Sequence, residues 1–272
     1  MKSLTAEAVA PHKPRDLKVF ANVEAWIFDL DNTLYPRSTD LFRQVDERIR
    51  AYVRKLLNVD ENEAERIQKS FYRQHGTTLR GLMLNHAVDP DEFLTFVHDI
   101  DHTAVQPNPA LGAAILRLPG RKYIFTNGSR QHAEKVAERL GFTEHFEDIF
   151  DIVAADLVPK PEPETYDRFV RRFGVEPERA AMFEDLARNL VVPKSVGMTT
   201  VLVVPPGTRE VFHAEWEFEG RDDDHVDFVT DDLSRFVAQI ADAVGSAAAS
   251  GVVPPVARPA GNARHPRQHR RR

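Results

Sequence analysis

Trp26-Ile27-Phe28-Asp29-Leu30-Asp31-Asn32-Thr33-Leu34-Tyr35 begins as an apolar run and then sets two carboxylates two residues apart. From Val23 to Leu30 apolar side chains dominate both alternating faces, which predicts a short strand covered on both sides. At the carboxyl end of such a strand in an α/β sheet, side chains reach the crevice where ligands bind. Asp29 and Asp31 are therefore candidates for a site. The alternative, on this stretch alone, is a polar turn that merely ends the strand.

The whole chain bounds the answer. Its 272 residues allow one good-sized α/β domain with an insertion, or two small domains. No run of about 18 apolar residues is present, so no membrane span is expected. Met1–Arg15 lacks the apolar core of a signal peptide, which points to a cytoplasmic protein. The absence of cysteine excludes disulfides, thiolate metal sites and cysteine nucleophiles. The net charge of −6 is unevenly spread: Val252–Arg272 holds six arginines and no acid, leaving −12 for residues 1–251. A body that acidic is a poor partner for nucleic acid. The tail, rich in Pro, Arg and His without periodic apolar residues, is expected to be disordered.

Outward from the first strand, residues 1–20 read as a loose lead-in. After Pro36 the texture becomes helical. Leu41, Val45, Ile49, Tyr52, Val53 and Leu56 recur at spacings of three and four, an amphipathic helix. Asp60 with Glu63 forms a capping box for a second helix through Ile67 and Phe71. Short helices are expected at Leu79–Asn85 and Pro90–His98. No strand is visible in 37–107, which reads as a helical insertion. From Asn108 strands and helices alternate: a helix at Ala110–Leu116, strands at Lys122–Thr126, Ile149–Ala155, Ala180–Phe183, Thr200–Val204 and Val226–Val229, and helices at 130–140, 164–173, 190–196 and 232–244, the last capped by Thr230. That alternation predicts an α/β fold, a Rossmann-like parallel sheet covered on both faces. The expected division is a core of 21–36 and 108–246, the insertion 37–107, and a basic tail 247–272.

Polar groups then converge. The first strand ends in Asp29 and Asp31, the second in Thr126 and Asn127, the loop after the third carries Lys160-Pro161, and the fourth ends in Glu184-Asp185. In a parallel sheet these ends share one edge. Two or three carboxylate oxygens with water suit a hard cation, and Mg²⁺ suits few protein ligands plus a substrate phosphate. A lysine and a threonine hydroxyl suit the remaining phosphate oxygens, so the set fits metal-assisted phosphoryl transfer. With no cysteine, no Gly-x-Ser-x-Gly elbow and no Walker loop, a carboxylate is the remaining nucleophile. Asp29 at the strand tip is the better placed, and Asp31 could protonate the leaving oxygen and then deprotonate water.

Asp29-Leu30-Asp31-Asn32-Thr33 resembles the first motif of the haloacid dehalogenase superfamily of phosphohydrolases. Thr126-Asn127, Lys160-Pro161 and Glu184-Asp185 resemble its second, third and fourth motifs, in order, over Trp26 to Val204. The resemblance implies Asp29 as nucleophile and Asp31 as general acid/base. It implies Thr126, Asn127 and Lys160 at the phosphate. For Mg²⁺ it implies Asp29, the main-chain carbonyl of Asp31, Asp185, and Glu184 through water, and it makes the helical insertion a cap. Within the superfamily the chain is most similar to the pyrimidine 5′-nucleotidase group, through Asp31–Pro36, Tyr72–Leu82 in the cap, Thr126-Asn127-Gly128, and His132–Val136. The fourth motif departs from that group, which often has Asp-Asp where this chain has Glu184-Asp185.

Other residues admit two readings. Thr77, Thr78 and Arg80 either join two helices or read the substrate from the cap. Tyr35, Phe42 and Tyr72 read as core rather than base-stacking groups, and His132 as structural. Asn189 either braces the metal site or caps a helix. Asp222-Asp223-Asp224 reads as a solvated loop, with Trp216 and Phe218 packing on the sheet edge. The expected function is Mg²⁺-dependent hydrolysis of a small phosphomonoester, foremost a pyrimidine nucleoside 5′-monophosphate. A sugar-phosphate phosphatase or mutase would use the same residues. A dehalogenase does without an acid at the position of Asp31, and a non-catalytic relative would have lost one of the four motifs.

Overall fold

The computed structural model describes residues 16–205 and 224–249. Six parallel strands form one sheet: β1 (Ala25–Phe28), β2 (Arg121–Phe125), β3 (Asp148–Phe150), β4 (Ala180–Glu184), β5 (Thr199–Val203) and β6 (Phe228–Thr230). Their order is β3-β2-β1-β4-β5-β6. β1, between β2 and β4, is therefore central, and all four of its residues are buried. Its alternate side chains serve two cores. Trp26 and Phe28 pack with α5 (Pro109–Arg117), α6 (Arg130–Leu140) and α9 (Leu233–Ala249) on one face. Ala25 and Ile27 pack with α7 (Pro163–Phe173) on the other. The Phe28 and Phe183 rings stack at 4.5 Å across β1 and β4.

The insertion is helical throughout: α1 (Leu41–Leu57), α2 (Glu61–His75), α3 (Thr78–His86) and α4 (Pro90–Val97). Its core, built on Tyr52, Val53, Leu79, Leu82 and Phe93, also takes in Ile152 and Leu157 from beyond β3, so the insertion is packed on the sheet-bearing part rather than tethered to it. The amide of Glu63 donates to the Asp60 carboxylate at 2.9 Å, so Asp60 caps α2, but the reciprocal half of the expected capping box is not made because the Glu63 carboxylate accepts from Arg66 instead.

Four local expectations are corrected. The lead-in is not loose at its end: Leu17–Asn22 is a 3₁₀ turn, and Phe20 is buried against Trp26, Phe228 and Phe236. β3 stops at Phe150 instead of running to Ala155, because the Asp151 carboxylate accepts from the amides of Arg130 and Ala154 and turns the chain. The last helix is capped by Asp232, which accepts from the Arg235 amide at 2.9 Å, and it runs on to Ala249, past its expected end at Val244. Phe42 is exposed, because Leu41 takes the inward position at the start of α1. Trp216, Phe218, Asp222, Asp223 and the tail Val252–Arg272 lie outside the described residues.

β2 can lie beside β1 only because residue 120 is glycine. Its φ is +77°, and a Cβ there would sit 2.3 Å from the Glu24 carbonyl oxygen, which already accepts from the Arg121 amide at 2.8 Å. Gly120→Ala is expected to lower unfolding stability by about 2 kcal/mol or more in urea titrations. A loss under about 0.5 kcal/mol would contradict this account of the β1–β2 entry.

Candidate active site

Each strand hands its polar residue over at the same edge. The Asp29 amide donates to the Phe183 carbonyl at 2.9 Å, and the Thr126 amide to the Phe150 carbonyl at 3.0 Å, so both sit on the last rung of the sheet. Asn32 then adopts a left-handed conformation (φ 62°), which asparagine tolerates better than most residues, and reverses the chain. Within this turn two contacts span four residues. Thr33 Oγ1 donates to Asp29 Oδ2 at 3.0 Å, and the Tyr35 hydroxyl donates to Asp31 Oδ1.

Lys160 is buried at the centre of the edge. Its Nζ donates to Asp29 Oδ1, Glu184 Oε1 and the Phe125 carbonyl, each at 2.8 Å, so all three of its N–H bonds are taken by protein. Burial opposes the ammonium charge, but Asp29 and Glu184 outweigh it and raise its pKa above the ordinary lysine value. Asn127 holds this lysine by its peptide: Asn127 Oδ1 accepts from the Lys160 amide at 2.8 Å, and Nδ2 donates to the Lys160 carbonyl at 3.1 Å. Both polar atoms of the Asn127 side chain are thus engaged on the loop. Thr126 Oγ1 accepts from the Gly128 amide at 2.9 Å, which leaves its O–H hydrogen to donate elsewhere.

Acids outnumber cations here. Asp29, Glu184 and Asp185 each place one oxygen within 4.8 Å of the others. Together with Lys160, and with Arg37 at 3.7 Å from Asp185, they carry a net charge of −1 when ionised. Burial foremost, with Glu184 and Asp31 adding to it, pushes the Asp29 carboxyl up to about 7 despite the pull of Lys160. Burial, Glu184 and Asp29 push Asp185 well above the usual carboxylate range. The donor set of all-oxygen carboxylates suits a hard divalent ion. Glu184 is held by protein on both oxygens: Oε1 also accepts from Asn189 Nδ2 at 2.7 Å, and Oε2 accepts from the Leu186 amide at 2.9 Å. Asn189 therefore braces the acid cluster.

The cap loop between α2 and α3 reaches this edge. Gly76 lies over Pro159 and the Lys160 carbonyl, with its φ at +80°. Thr77 caps α3 by accepting from the Arg80 amide, and Arg80 lies 3.6 Å from Glu162 of the core. Thr78 does not join the site. It is buried, and its hydroxyl donates to the Gln68 carbonyl inside the cap, because the first turn of α3 faces α2. Tyr72 is half-buried at the seam, with the Arg188 guanidinium 4.5 Å over its ring.

His132 is the residue that sequence reasoning missed. Expected to be structural, it is 1% exposed, and its Nε2 lies 2.9 Å from Asp31 Oδ1. Burial works against ionisation of Asp31, but His132 and Tyr35 outweigh it and hold the Asp31 carboxyl below its ordinary value. The sequence signal for Tyr35 was its spacing of four from Asp31. For His132, 101 residues away, no local signal exists.

The order in which these strand ends contribute their groups is that of the hydrolase superfamily raised by the motifs. A profile of haloacid dehalogenase-like hydrolases matches residues 23–197, and the chain belongs to that family. It is 26% identical over 197 residues to phosphate metabolism protein 8 of Saccharomyces cerevisiae, covering 66% of this chain and 61% of the yeast protein's length. It is 27% identical over 199 residues to the glyceraldehyde 3-phosphate phosphatase of Methanopyrus kandleri, covering 66% of this chain and 84% of that protein. Among solved structures, a HAD phosphatase from Thermococcus onnurineus superposes with a TM-score of 0.50 at 19% identity, over 79% of this chain and 96% of that one. The L-2-haloacid dehalogenase of Xanthobacter autotrophicus superposes equally, at 0.50 and 17% identity, over 80% of this chain and 98% of that one. These two likenesses concern the fold. Among the described residues no helix is long and apolar enough to cross a membrane.

The raised Asp29 carboxyl has a measurable sign. A folded-state pKa above the unfolded value of 3.8 stabilises the fold at low pH, and that stabilisation is lost as pH rises toward 7. In chelator, Asp29→Asn is therefore expected to gain stability over the parent as pH rises from about 4 to about 7, by on the order of 2–4 kcal/mol, then to level off. Paired denaturant titrations across that range check it. A pH-independent difference would show that Asp29 is not under the stated load.

Proposed function

We propose that the chain is a Mg²⁺-dependent phosphomonoesterase that works through a phospho-aspartate. The observation that supports it most directly is Asp31: an acid held by Tyr35 and His132, beside the buried Asp29–Lys160–Glu184 cluster. A displacement at a carbon–halogen bond has no need of a proton donor there, whereas an alkoxide leaving from phosphorus does. Mg²⁺ held by Asp29, Asp185 and the Asp31 carbonyl, with Glu184 through water, would offset the charge of the phosphoryl oxygens.

The protein's own groups then perform the steps. An Asp29 carboxylate oxygen forms a bond to phosphorus as the ester P–O bond breaks, and Asp31 gives its proton to the departing oxygen. Thr126 donates to a phosphoryl oxygen, and Lys160 receives another by sharing one of its N–H bonds. A water molecule then attacks the same phosphorus, Asp31 takes its proton, and the aspartyl P–O bond breaks to return Asp29 and inorganic phosphate.

For the substrate we favour a pyrimidine nucleoside 5′-monophosphate. The cap sequence Tyr72–Leu82 supports it, and Tyr72 with Arg188 offers a flat face at the cap–core seam on which a base could stack. A second reading, a small sugar or triose phosphate, is favoured by the archaeal relative, itself a glyceraldehyde 3-phosphate phosphatase. A phosphate-release screen decides between them: faster turnover of UMP and CMP than of triose and hexose phosphates is expected, and the reverse order overturns the nucleotide assignment. Asp29→Asn is expected to lower kcat by at least about 10³-fold on any ester. Intact Mg²⁺-dependent release by that variant would overturn the mechanism.

A further inference from the structure

His132 sits in a fixed chain of contacts that ends at Asp31. His102 Nδ1 lies 3.1 Å from the Ile100 carbonyl, which can only accept, so that nitrogen carries a hydrogen. His132 bridges the two residues: its Nδ1 lies 3.1 Å from His102 Nε2, and its Nε2 lies 2.9 Å from Asp31 Oδ1. A second ring fixes the plane. His98 stacks on His132 with centroids 4.6 Å apart and planes 14° apart, and it is itself tied to Ser129 Oγ at 3.0 Å. His98 closes α4 of the cap, and His102 lies on the segment returning from the cap to the core.

Both contacts on the Asp31 carboxylate, from Tyr35 and from His132, are made to Oδ1. The other oxygen, Oδ2, is the one that remains for substrate. We propose that His132 is a positioning residue of the acid–base step: it pins Asp31 by Oδ1 so that Oδ2 faces the leaving oxygen and then the attacking water, and it is itself oriented by His98 and His102 from the cap side. The inference rests on the assignment of Asp31 as general acid in the preceding section.

A leaving-group comparison tests it. A 2,4-dinitrophenolate departs without protonation, whereas an alkoxide such as that of glycerol phosphate requires it. His132→Ala is expected to lower kcat on the alkyl phosphate by roughly 10- to 100-fold and on 2,4-dinitrophenyl phosphate by less than about 3-fold, with KM for both little changed. A purely structural role would lower both alike. His132→Gln places an amide N–H near the position of Nε2, and it is expected to recover most of the alkyl-phosphate rate. Should His132→Ala not fold, His132→Phe, which keeps the stack on His98, takes its place. An equal loss on both esters, no loss on either, or a His132→Gln variant as impaired on the alkyl ester as His132→Ala would each overturn the proposal. Asp31→Asn separates the two levels. If it leaves alkyl-phosphate turnover intact, the acid assignment itself fails. If it is impaired while His132→Ala is not, the positioning role alone fails.

Discussion

A single buried ammonium organises the working edge of this molecule. Lys160 draws together the tip of β1 through Asp29, the end of β2 through the Phe125 carbonyl, and the end of β4 through Glu184. Removing such a charge from water is costly unless each of its hydrogens is bonded, and here each is. The same contacts that satisfy the lysine gather the acids close enough to repel one another, and Asp29 and Asp185 are pushed upward in consequence. The edge is thus richer in carboxylates than in cations, a setting in which a cation could bind.

Much of this was readable in the sequence because the relevant signals are local. Helix periodicity, the Asp60–Glu63 cap and the glycine after α6 fixed where the cap and the alternating core would lie. Polar residues at the ends of apolar runs marked the working edge, since a parallel sheet has one end at which they can meet. What escaped depended on partners remote in sequence. Thr78 looks like a substrate-facing hydroxyl until α2 supplies the Gln68 carbonyl. The third strand reads as longer because nothing local shows that Asp151 will turn to cap α6. His132 is an unremarkable helix residue until the fold sets it against Asp31.

The division of labour between the two parts of the chain is less clean than their sequence boundary suggests. Ile152 and Leu157 belong to the core by sequence, yet they are packed into the cap's apolar cluster. Gly76 belongs to the cap, yet it lies on the backbone of the lysine loop. Contacts of this kind let the position of a helical insertion bear on groups that the sheet supplies.

The two-point grip of Asn127 on the Lys160 peptide has the pattern of a pair of sheet hydrogen bonds made by a side chain. The chain between Phe150 and Lys160 is irregular, so no strand register sets where the lysine falls. A side-chain amide anchored to the end of β2 does so instead, and it acts on residue 160 whatever path the chain takes to reach it. The ammonium is thus placed by a contact from another strand end rather than by its own loop.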